Sequence, residues 1–390
     1  MTLSCRHFGA CGGCSELTTP IAGQRTAKIA AVREALGDRL GDLTLDFTDQ
    51  PSRDPQHDRL KILYPVQPDP ELGLRMGLYQ AGSHEVIPIE SCELQHPALT
   101  TIGRRAQRIF QKWPFEPYNE RTQQGSLRAF HARLSASTGE ILLGLVTTDD
   151  RIRDRQGLAR ELIEAARDLP VARGKTTTTV GVVHNLNPDP GNVLLGPSSR
   201  VITGRGHLFD KVDGLTIRIG FSSFYQLHRR SQRLLYQPAM DILAPYLLGA
   251  HVIDGYGGVG TFAMRCARRG ARSVDLVESH PEACEDAVFN SHTNATKVQV
   301  IRQSFPEATM ESPDILIVDP TRAGLRPEGC DKVRALAAPQ LLYVACGLAA
   351  LVRDLQNLTE YRLAEIRLAD LFPHTPHVEV LARLEHSNPR

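Results

Sequence analysis

The chain has 390 residues, of which 41% are hydrophobic and 23% are charged, and its formal net charge is +1. This length suffices for two or three domains with cores of their own. It contains no apolar run of the roughly 18 residues that a membrane-spanning helix needs, and its first residues lack the apolar stretch of a secretory signal. We therefore expect a cytoplasmic protein with no membrane association, and the balanced charge alone does not indicate a nucleic-acid partner.

Residues 1–100 hold four of the eight cysteines of the chain. Cys5, Cys11 and Cys14 fall within ten residues of one another, and Cys92 follows at a distance. In a chain without an export signal, such clustering favours metal ligation over disulfides. Four thiolates suit an iron–sulfur cluster or a structural zinc ion, and the spacing does not choose between them. A helix is also predicted near Arg25–Leu36.

Residues 101–215 are predicted to form an α+β domain with an antiparallel sheet. The pattern predicts a helix over Thr101–Trp113 and strands over Leu127–Ser135, Ile141–Thr147 and Thr177–His184. Seven basic side chains lie in its first third, where they form either a face that follows phosphates or a solvated helix surface. These are Arg104, Arg105, Arg108, Lys112, Arg121, Arg128 and Arg133.

Residues 216–390 change character, because short continuous apolar runs alternate with segments of helix length. Helices are predicted to begin near Thr261, Pro281 and Pro327. This alternation predicts a doubly wound, mostly parallel sheet of the Rossmann-like class, which binds its ligands at the carboxyl ends of the strands. The predicted strands are His251–Ile253, Val274–Val277, Val298–Ile301, Ile315–Val318 and Leu341–Val344.

The first of these runs ends in a glycine-rich loop, Gly255-x-Gly257-x-x-Gly260. The second ends in Glu278, a carboxylate suited to ribose hydroxyls, and the fourth ends in Asp319. Read literally, the glycine spacing fits a dinucleotide-binding enzyme. The C-terminal position of the domain, and Arg322 soon after the Asp-Pro pair, instead favour S-adenosylmethionine. Both interpretations remain open at this point.

The fifth run is followed by Cys346, at the strand end that faces the cofactor crevice. A cysteine there is either a nucleophile or a small core residue. Further on, the segment Asp370–Glu379 holds two histidines and two carboxylates around two prolines, just before a predicted final strand over Val378–Leu384. This segment is either a fixed catalytic loop or a surface loop that leads into an edge strand.

Taken together, these segments resemble the uracil-5 RNA methyltransferase family, whose members modify ribosomal and transfer RNA. The resemblance runs over nearly the whole chain, and the match at Phe372–Glu379 is the most specific. His184–Asn187 and Gly191–Val193 also look like sequences of the family. The other matching motifs are Phe224-Tyr225-Gln226, Asp254–Phe262, Val277-Glu278, Asp319–Gly324 and Tyr343–Cys346.

The resemblance implies a C-terminal class I methyltransferase domain and a chemical role for individual residues. Cys346 would be the nucleophile that adds to C6 of uracil, and Glu379 would be the base that removes the C5 proton. Phe224 and Arg322 would bind the substrate. The residues implied for the S-adenosylmethionine site are Gln226, Tyr256, Thr261, Glu278 and Asp319.

The resemblance further implies that Cys5, Cys11, Cys14 and Cys92 hold a [4Fe–4S] cluster and that the central domain binds RNA. Because the chain begins at these cysteines without a TRAM barrel, it is similar to the short, ribosomal branch. We therefore expect a monomer that methylates 23S rRNA, with transfer RNA as the alternative target. Where the family has Asn-Pro-x-Thr after the nucleophile, this chain has Gly347–Ala350. A weakened relative that binds RNA without methylating it is therefore a third alternative.

Overall fold

The computed structural model describes residues 3–49, 55–172, 174–226 and 228–388. Within these ranges the chain forms α-helices, a short 3₁₀ turn at Gly37–Leu40 and a π-helical turn at Gln232–Tyr236. None of the helices found there is long and apolar enough to cross a bilayer. The α-helices are α1 (Ile21–Leu36), α2 (Pro97–Phe110), α3 (Arg155–Ala165), α4 (Gln237–Leu247), α5 (Thr261–Arg268), α6 (Pro281–Thr293), α7 (Arg326–Leu336) and α8 (Leu348–Asn357).

The strands group into one large sheet in each half of the chain and two small ribbons. In chain order they are β1 (Asp46–Phe47), β2 (Lys61–Asp69), β3 (Gly73–Tyr79), β4 (Val86–Pro88), β5 (Leu127–Leu134), β6 (Glu140–Thr147), β7 (Pro170–Ala172), β8 (Lys175–Thr176), β9 (Thr178–Leu186), β10 (Ser198–Gly204), β11 (His207–Val212), β12 (Leu215–Gly220), β13 (His251–Gly255), β14 (Ser273–Val277), β15 (Val298–Ile301), β16 (Ile315–Val318), β17 (Gln340–Ala345), β18 (Tyr361–Ala369) and β19 (Glu379–His386).

The central sheet has seven strands in the order β10-β9-β6-β5-β2-β3-β4. Every pair is antiparallel, as expected, except β6 and β9, which run parallel because α3 carries the chain back across the sheet between them. Strand β5 shows the two faces of this sheet. Phe130 packs towards α2 through Phe110, and His131 points the other way, against Phe221.

The C-terminal sheet has eight strands in the order β1-β18-β19-β17-β16-β13-β14-β15. Strands β13 to β17 are mutually parallel, and β19 is antiparallel to both β17 and β18. Leu341 and Tyr343 of β17 contribute to the core on the side of α1, α7 and α8. Leu342 and Val344 contribute to the core on the side of α4 and α5. Burial on both faces explains the continuous apolar runs, and the parallel strands β13 to β17 confirm the predicted doubly wound, mostly parallel sheet of the Rossmann-like class.

The first hundred residues contribute to both sheets. Strands β2, β3 and β4 belong to the central sheet, whereas α1 packs against α8 and β1 pairs with β18 at the far edge of the C-terminal sheet. The first hundred residues thus supply three strands to one sheet and one strand to the other, and the domain boundary at residue 100 stays a prediction. The tertiary partners of these short elements are remote in the chain, so local sequence patterns did not reveal them.

The basic stretch between residues 104 and 133 is divided between surface and interior. Arg104, Arg108 and Lys112 are exposed on α2 and its C-terminal turn. Arg128 and Arg133 are buried in β5. The guanidinium of each buried arginine donates hydrogen bonds to backbone carbonyls of loops that follow other strands. The stretch is thus not a single basic face, because alternate residues of a strand point to opposite sides of the sheet.

Candidate active site

The predicted chemistry-bearing residues collect at one edge of the C-terminal sheet. The glycine loop follows β13, Glu278 follows β14, Asp319 follows β16 and Cys346 follows β17. Since these strands are parallel and adjacent, their carboxyl ends form a common crevice. The fold therefore brings together four groups that are separated by up to 90 residues along the chain.

Two carboxylates, those of Asp254 and Glu278, accept hydrogen bonds from the backbone of the glycine loop and the start of α5. Asp254 is fully buried and accepts a hydrogen bond from the backbone N–H of Ala263 at 3.0 Å, which fixes the start of α5. The carboxylate of Glu278 accepts from the N–H of Gly258 at 3.0 Å and from the N–H of His280 at 2.7 Å. Glu278 is thus oriented in advance, and each of its oxygens keeps accepting capacity for a ligand hydroxyl.

Tyr256 and Thr261 have partners within the protein. Tyr256 adopts a φ of +146°, and its ring lies 5.3 Å from that of Phe305. The hydroxyl of Thr261, at the first turn of α5, lies close to the phenol of Tyr236. Both residues border the glycine loop, and their contact with a cofactor stays a prediction.

Cys346 and Glu379 face each other across neighbouring antiparallel strands. The last pair in the ladder between β17 and β19 joins Ala345 to Val380. Extending that register by one residue places Cys346 opposite Glu379. Glu379 is also paired with Ala369 of β18, and only 4% of it is exposed. The sheet thus places a thiol and a buried carboxyl group side by side at the crevice.

Burial and mutual repulsion disfavour negative charge throughout this cluster. The pKa of Cys346 is raised to about 11, chiefly by burial and also by the carboxylates of Glu379 and Asp319, while Arg322 opposes them. Burial likewise raises the pKa of Asp254 to about 7. The pKa values of Glu379 and Asp319 are both raised by burial, and the negative charge of Asp319 adds to the effect on Glu379. A group of buried acids with little compensating cation is suited to receive a positively charged ligand.

Phe224 projects from the segment that joins the two sheets, and 68% of it is exposed. Its carbonyl oxygen lies 3.4 Å from the position that a Cβ on Gly258 would occupy, so the segment passes directly over the glycine loop. Gln226 lies on the same segment, and within the described residues its side-chain amide has no hydrogen-bond partner. An exposed aromatic ring beside the crevice suits stacking on a base.

A bracket of three buried or partly buried side chains, Arg133, Glu282 and Asp286, holds this segment in place. Arg133 donates to the carbonyl oxygens of Gly220 and Ser223, both at 2.7 Å. Asp286 accepts from the N–H of Gly220 and the hydroxyl of Ser223, both at 2.6 Å. Glu282 accepts from the N–H groups of Phe221 and Ser222. Glu282 and Asp286 were not among the predicted residues, because their role depends on contacts between distant segments.

Arg322 and Gly347 meet beside Cys346. A Cβ on Gly347 would lie 2.8 Å from the carbonyl oxygen of Arg322, which is closer than a side chain tolerates. The loop after β16 therefore packs directly onto the backbone that follows Cys346. The side chain of Arg322 is exposed and has no ion-pair or hydrogen-bond partner among the described residues.

The four N-terminal cysteines line one cavity in the central part of the molecule, together with Arg59. Cys5, Cys11, Cys14 and Cys92 are partly exposed free thiols. The N–H of Gly13 donates to Sγ of Cys11 at 3.2 Å. Over the described ranges, no three His, Cys, Asp or Glu side chains approach closely enough to be recognised as a metal site. The structure thus brings the predicted ligands to one place, and the metal itself remains a prediction.

Comparison with known proteins places the chain among RNA methyltransferases. Residues 309–387 match the family model for tRNA (uracil-5-)-methyltransferase. An uncharacterized RNA methyltransferase of Bacillus cereus is 31% identical over 98% of this chain and 83% of the relative. One from Synechocystis is 28% identical over 99% of this chain and 82% of the relative.

A solved structure has the same fold over nearly the whole chain. It is the tRNA (uracil-54, C5)-methyltransferase of Pyrococcus abyssi in complex with S-adenosyl-L-homocysteine, with a TM-score of 0.75 and 23% sequence identity. The match covers 98% of this chain and 86% of that one. The similarity to RNA methyltransferases favours S-adenosylmethionine over the dinucleotide interpretation of the glycine loop. The chain belongs to the uracil-5 RNA methyltransferase family.

Proposed function

We propose that this protein transfers a methyl group from S-adenosylmethionine to C5 of a uridine in RNA, through a covalent bond between Cys346 and C6 of the base. The observation that carries the proposal is the placement of Cys346 opposite Glu379 at the crevice that also holds Glu278 and Asp319. A nucleophile and a separate base are the two groups that this substitution at carbon requires.

The residues of the crevice fit a cationic methyl donor. S-adenosylmethionine supplies a methyl group activated by the positive charge of its sulfonium. Glu278, held by two backbone N–H groups, is placed to accept the ribose hydroxyls. The buried acids Asp319 and Glu379 favour the positive charge nearby. The side-chain amide of Gln226, which has no partner in the part of the chain that the structure describes, is available to the base or the cofactor. Tyr256 and Thr261 border the glycine loop.

The reaction follows from the positions of the two catalytic groups. The Cys346 thiolate adds to C6, and the electron pair of the C5–C6 double bond moves to the C4 carbonyl as an enolate. C5 then takes the methyl group, and the electrons of the broken bond stay on the sulfur of the donor. Glu379 accepts the C5 proton, the double bond re-forms, and the thiolate of Cys346 is expelled.

The substrate base must leave its stack to reach Cys346. Phe224 is placed to stack on the extruded uracil, which contributes on the order of 1–3 kcal/mol per base. This offsets part of the few kcal/mol that extrusion costs. Arg322, exposed next to the nucleophile, is suited to a phosphate or a carbonyl oxygen of the substrate.

We propose 23S rRNA as the target, because the cysteine set resembles that of the ribosomal branch. We also propose that the enzyme is a monomer, because no interface signal stands out in the sequence. Transfer RNA is the second candidate, since the matching family model and the solved structure with the same fold both concern transfer RNA. The decisive experiment incubates the purified protein and S-adenosylmethionine with total RNA from cells that lack the gene. Mass spectrometry of RNA fragments then maps 5-methyluridine, and the RNA that carries it shows whether the target is ribosomal or transfer RNA.

Two variants test the covalent mechanism in that assay. Cys346→Ala should abolish 5-methyluridine, whereas Cys266→Ala, at a buried cysteine of α5, should retain it. Glu379→Gln should accumulate a protein–RNA adduct that survives denaturants, because the C5 proton is no longer removed. Activity in Cys346→Ala would refute covalent catalysis. Binding of RNA and donor without any product by the wild type would support the weakened relative instead.

We also propose that Cys5, Cys11, Cys14 and Cys92 hold a [4Fe–4S] cluster. All four thiols border one cavity, where Arg59 supplies a compensating positive charge. Protein purified without oxygen should be brown and contain about four irons, with an equal amount of sulfide. Cys92→Ser should lose the colour, whereas Cys330→Ser should keep it. Stoichiometric zinc in place of iron would overturn the assignment.

A further inference from the structure

We propose that Gln24 of α1 is a positioning residue for catalysis. It holds the turn between Asp370 and Pro376, named here the catalytic turn, so that Glu379 enters the crevice in the right place. This inference rests on the proposed function, since Glu379 is taken as the base. It also joins the cysteine segment to the active site, because the residues after Cys14 hold the same turn.

Helix α1 buries an unusual set of polar side chains against the catalytic turn. Gln24, Arg25 and Lys28 have exposed fractions of 1%, 7% and 2%. Lys28 donates to Oδ1 of Asp370 at 2.7 Å and to the carbonyl oxygen of Phe372 at 3.1 Å. Arg25 donates to Oδ2 of Asp370 at 3.2 Å. Burying these groups is costly unless they are paired, so their partners fix the start of the turn firmly.

Gln24 fixes the middle of the turn at His374. Oε1 of Gln24 accepts from the N–H of His374 at 2.8 Å. Nε2 of Gln24 lies 3.1 Å from Nδ1 of His374, 2.9 Å from the carbonyl oxygen of Glu16 and 2.7 Å from that of Thr19. A single buried amide thus ties the catalytic turn to the segment that precedes α1.

His374 is held on all its polar groups. Its carbonyl oxygen accepts from the N–H groups of Ser15 and Glu16, both at 3.0 Å. Its Nε2 lies 3.1 Å from the carbonyl oxygen of Pro55. The two hydrogens on Nε2 of Gln24 are shared among three acceptors, Nδ1 of His374 and the carbonyl oxygens of Glu16 and Thr19. In the tautomer whose Nδ1 accepts, the Nε2–H of His374 donates to the carbonyl oxygen of Pro55. These bonds stabilise a φ of +63°, which residues other than glycine rarely adopt.

The conformation of the turn determines where Glu379 lies. Thr375 donates to the carbonyl oxygen of Phe372 at 2.8 Å and accepts from the N–H of His377 at 3.3 Å, so the turn is short and rigid. Glu379 begins β19 directly afterwards. If His374 relaxes from its left-handed conformation, the start of β19 and the carboxyl group of Glu379 shift. The rate at which Glu379 removes the C5 proton should then fall.

Gln24→Met tests the hydrogen bonds at nearly constant side-chain size, and Arg33→Met, on the exposed face of α1, is the matched control. Gln24→Met should lower kcat at least tenfold, while KM for RNA and Kd for S-adenosylmethionine stay within about twofold. It should also accumulate the covalent protein–RNA adduct, as Glu379→Gln does. Equal losses in donor binding, adduct formation and turnover would mean a general structural role and would overturn the inference.

Hydrogen exchange tests the same idea without any reaction. Backbone amides of residues 371–378 should exchange at least tenfold faster in Gln24→Met than in wild type, and those of α5 should not change. Gln24→Glu keeps the oxygen that accepts from His374 and should give a smaller increase. Unchanged exchange in Gln24→Met, or equal increases in both variants, would contradict the inference. Lack of 5-methyluridine in the wild type would instead refute the proposed function. The exchange result would still show whether Gln24 holds the catalytic turn, because it does not depend on the reaction.

Discussion

In the proposed mechanism the thiol of Cys346 must ionise before it attacks the uracil ring, yet its surroundings resist ionisation. Its pKa is raised to about 11, chiefly by burial and also by the nearby Glu379 and Asp319. Below that pKa the thiolate fraction grows about tenfold with each pH unit. Glu379, whose pKa is also raised by burial, must likewise lose its proton before it can act as a base. Both groups therefore become more active as pH rises.

We therefore expect the rate of single-turnover methylation to rise steadily with pH from about 6 to 9. A thiol with an ordinary pKa near 8.5 would instead make the rate level off towards the upper end of this range. Bound S-adenosylmethionine should shift the rise to lower pH, because its positive charge favours the thiolate. Alkylation of Cys346 by iodoacetamide, followed by mass spectrometry with and without the donor, measures this directly. A rate of alkylation independent of pH over that range would contradict the expectation.

Gly347, where the family has asparagine, is explained by close packing. Any Cβ there would lie 2.8 Å from the Arg322 carbonyl oxygen, so Gly347→Asn must displace the loop that carries Asp319 and Arg322. Such overpacking costs about 1–3 kcal/mol, and kcat/KM should fall about tenfold. Ala349→Ser, exposed on α8, is the control. Higher activity in Gly347→Asn would contradict this explanation, because it would show that the close contact with Arg322 does not require glycine at this position.

At the scale of elements, the strands were predictable and their partners were not. Continuous apolar runs predicted β13 to β17 within two residues at each end, because strands buried on both faces have no polar alternation. The same pattern predicted the position of the crevice, because parallel sheets bind their ligands at the carboxyl ends of the strands. The parallel pairing of β6 with β9 and the attachment of β1 to β18 depend on packing between distant segments. Gln24 and Asp286 escaped the sequence analysis for the same reason.

The bracket around Phe224 gives a prediction at this scale. Asp286→Asn cannot accept from both Ser223 and the N–H of Gly220 while keeping its charged bond to Arg218. We expect a loss of about 1–3 kcal/mol in unfolding free energy, and a KM for RNA raised about fivefold or more, because the stacking ring is less well placed. Donor affinity should not change.

Glu285→Gln, at the exposed neighbour on α6, is the matched control for this prediction. Thermal unfolding and titration with RNA and donor separate the two effects. Loss of donor binding in parallel with RNA binding would show that α6 as a whole has moved, and the bracket would then have no specific role in holding Phe224.

At the scale of the whole molecule, the N-terminal segment completes the C-terminal sheet. Val32, Leu36, Leu40 and Leu45 are buried in the core that α7 and α8 share. Full burial of a large aliphatic side chain contributes about 1.5–3 kcal/mol, so these four contribute on the order of 6–12 kcal/mol together. That is comparable to the whole net stability of a typical domain. Asp370, completely buried, also depends on Arg25 and Lys28 of α1 for its pairing.

A fragment of residues 216–390 should therefore not fold alone, although it contains the entire methyltransferase crevice. We expect it to be insoluble, or to lack a cooperative thermal transition and bind a hydrophobic dye. A buried carboxylate without its partners and an uncovered apolar face both oppose the folded state. Adding residues 1–56 as a separate polypeptide should restore solubility and donor binding. A fragment that melts cooperatively on its own would show that α1 and β1 are accessories, and the structural link between the cysteine segment and the catalytic turn would then lose its energetic basis.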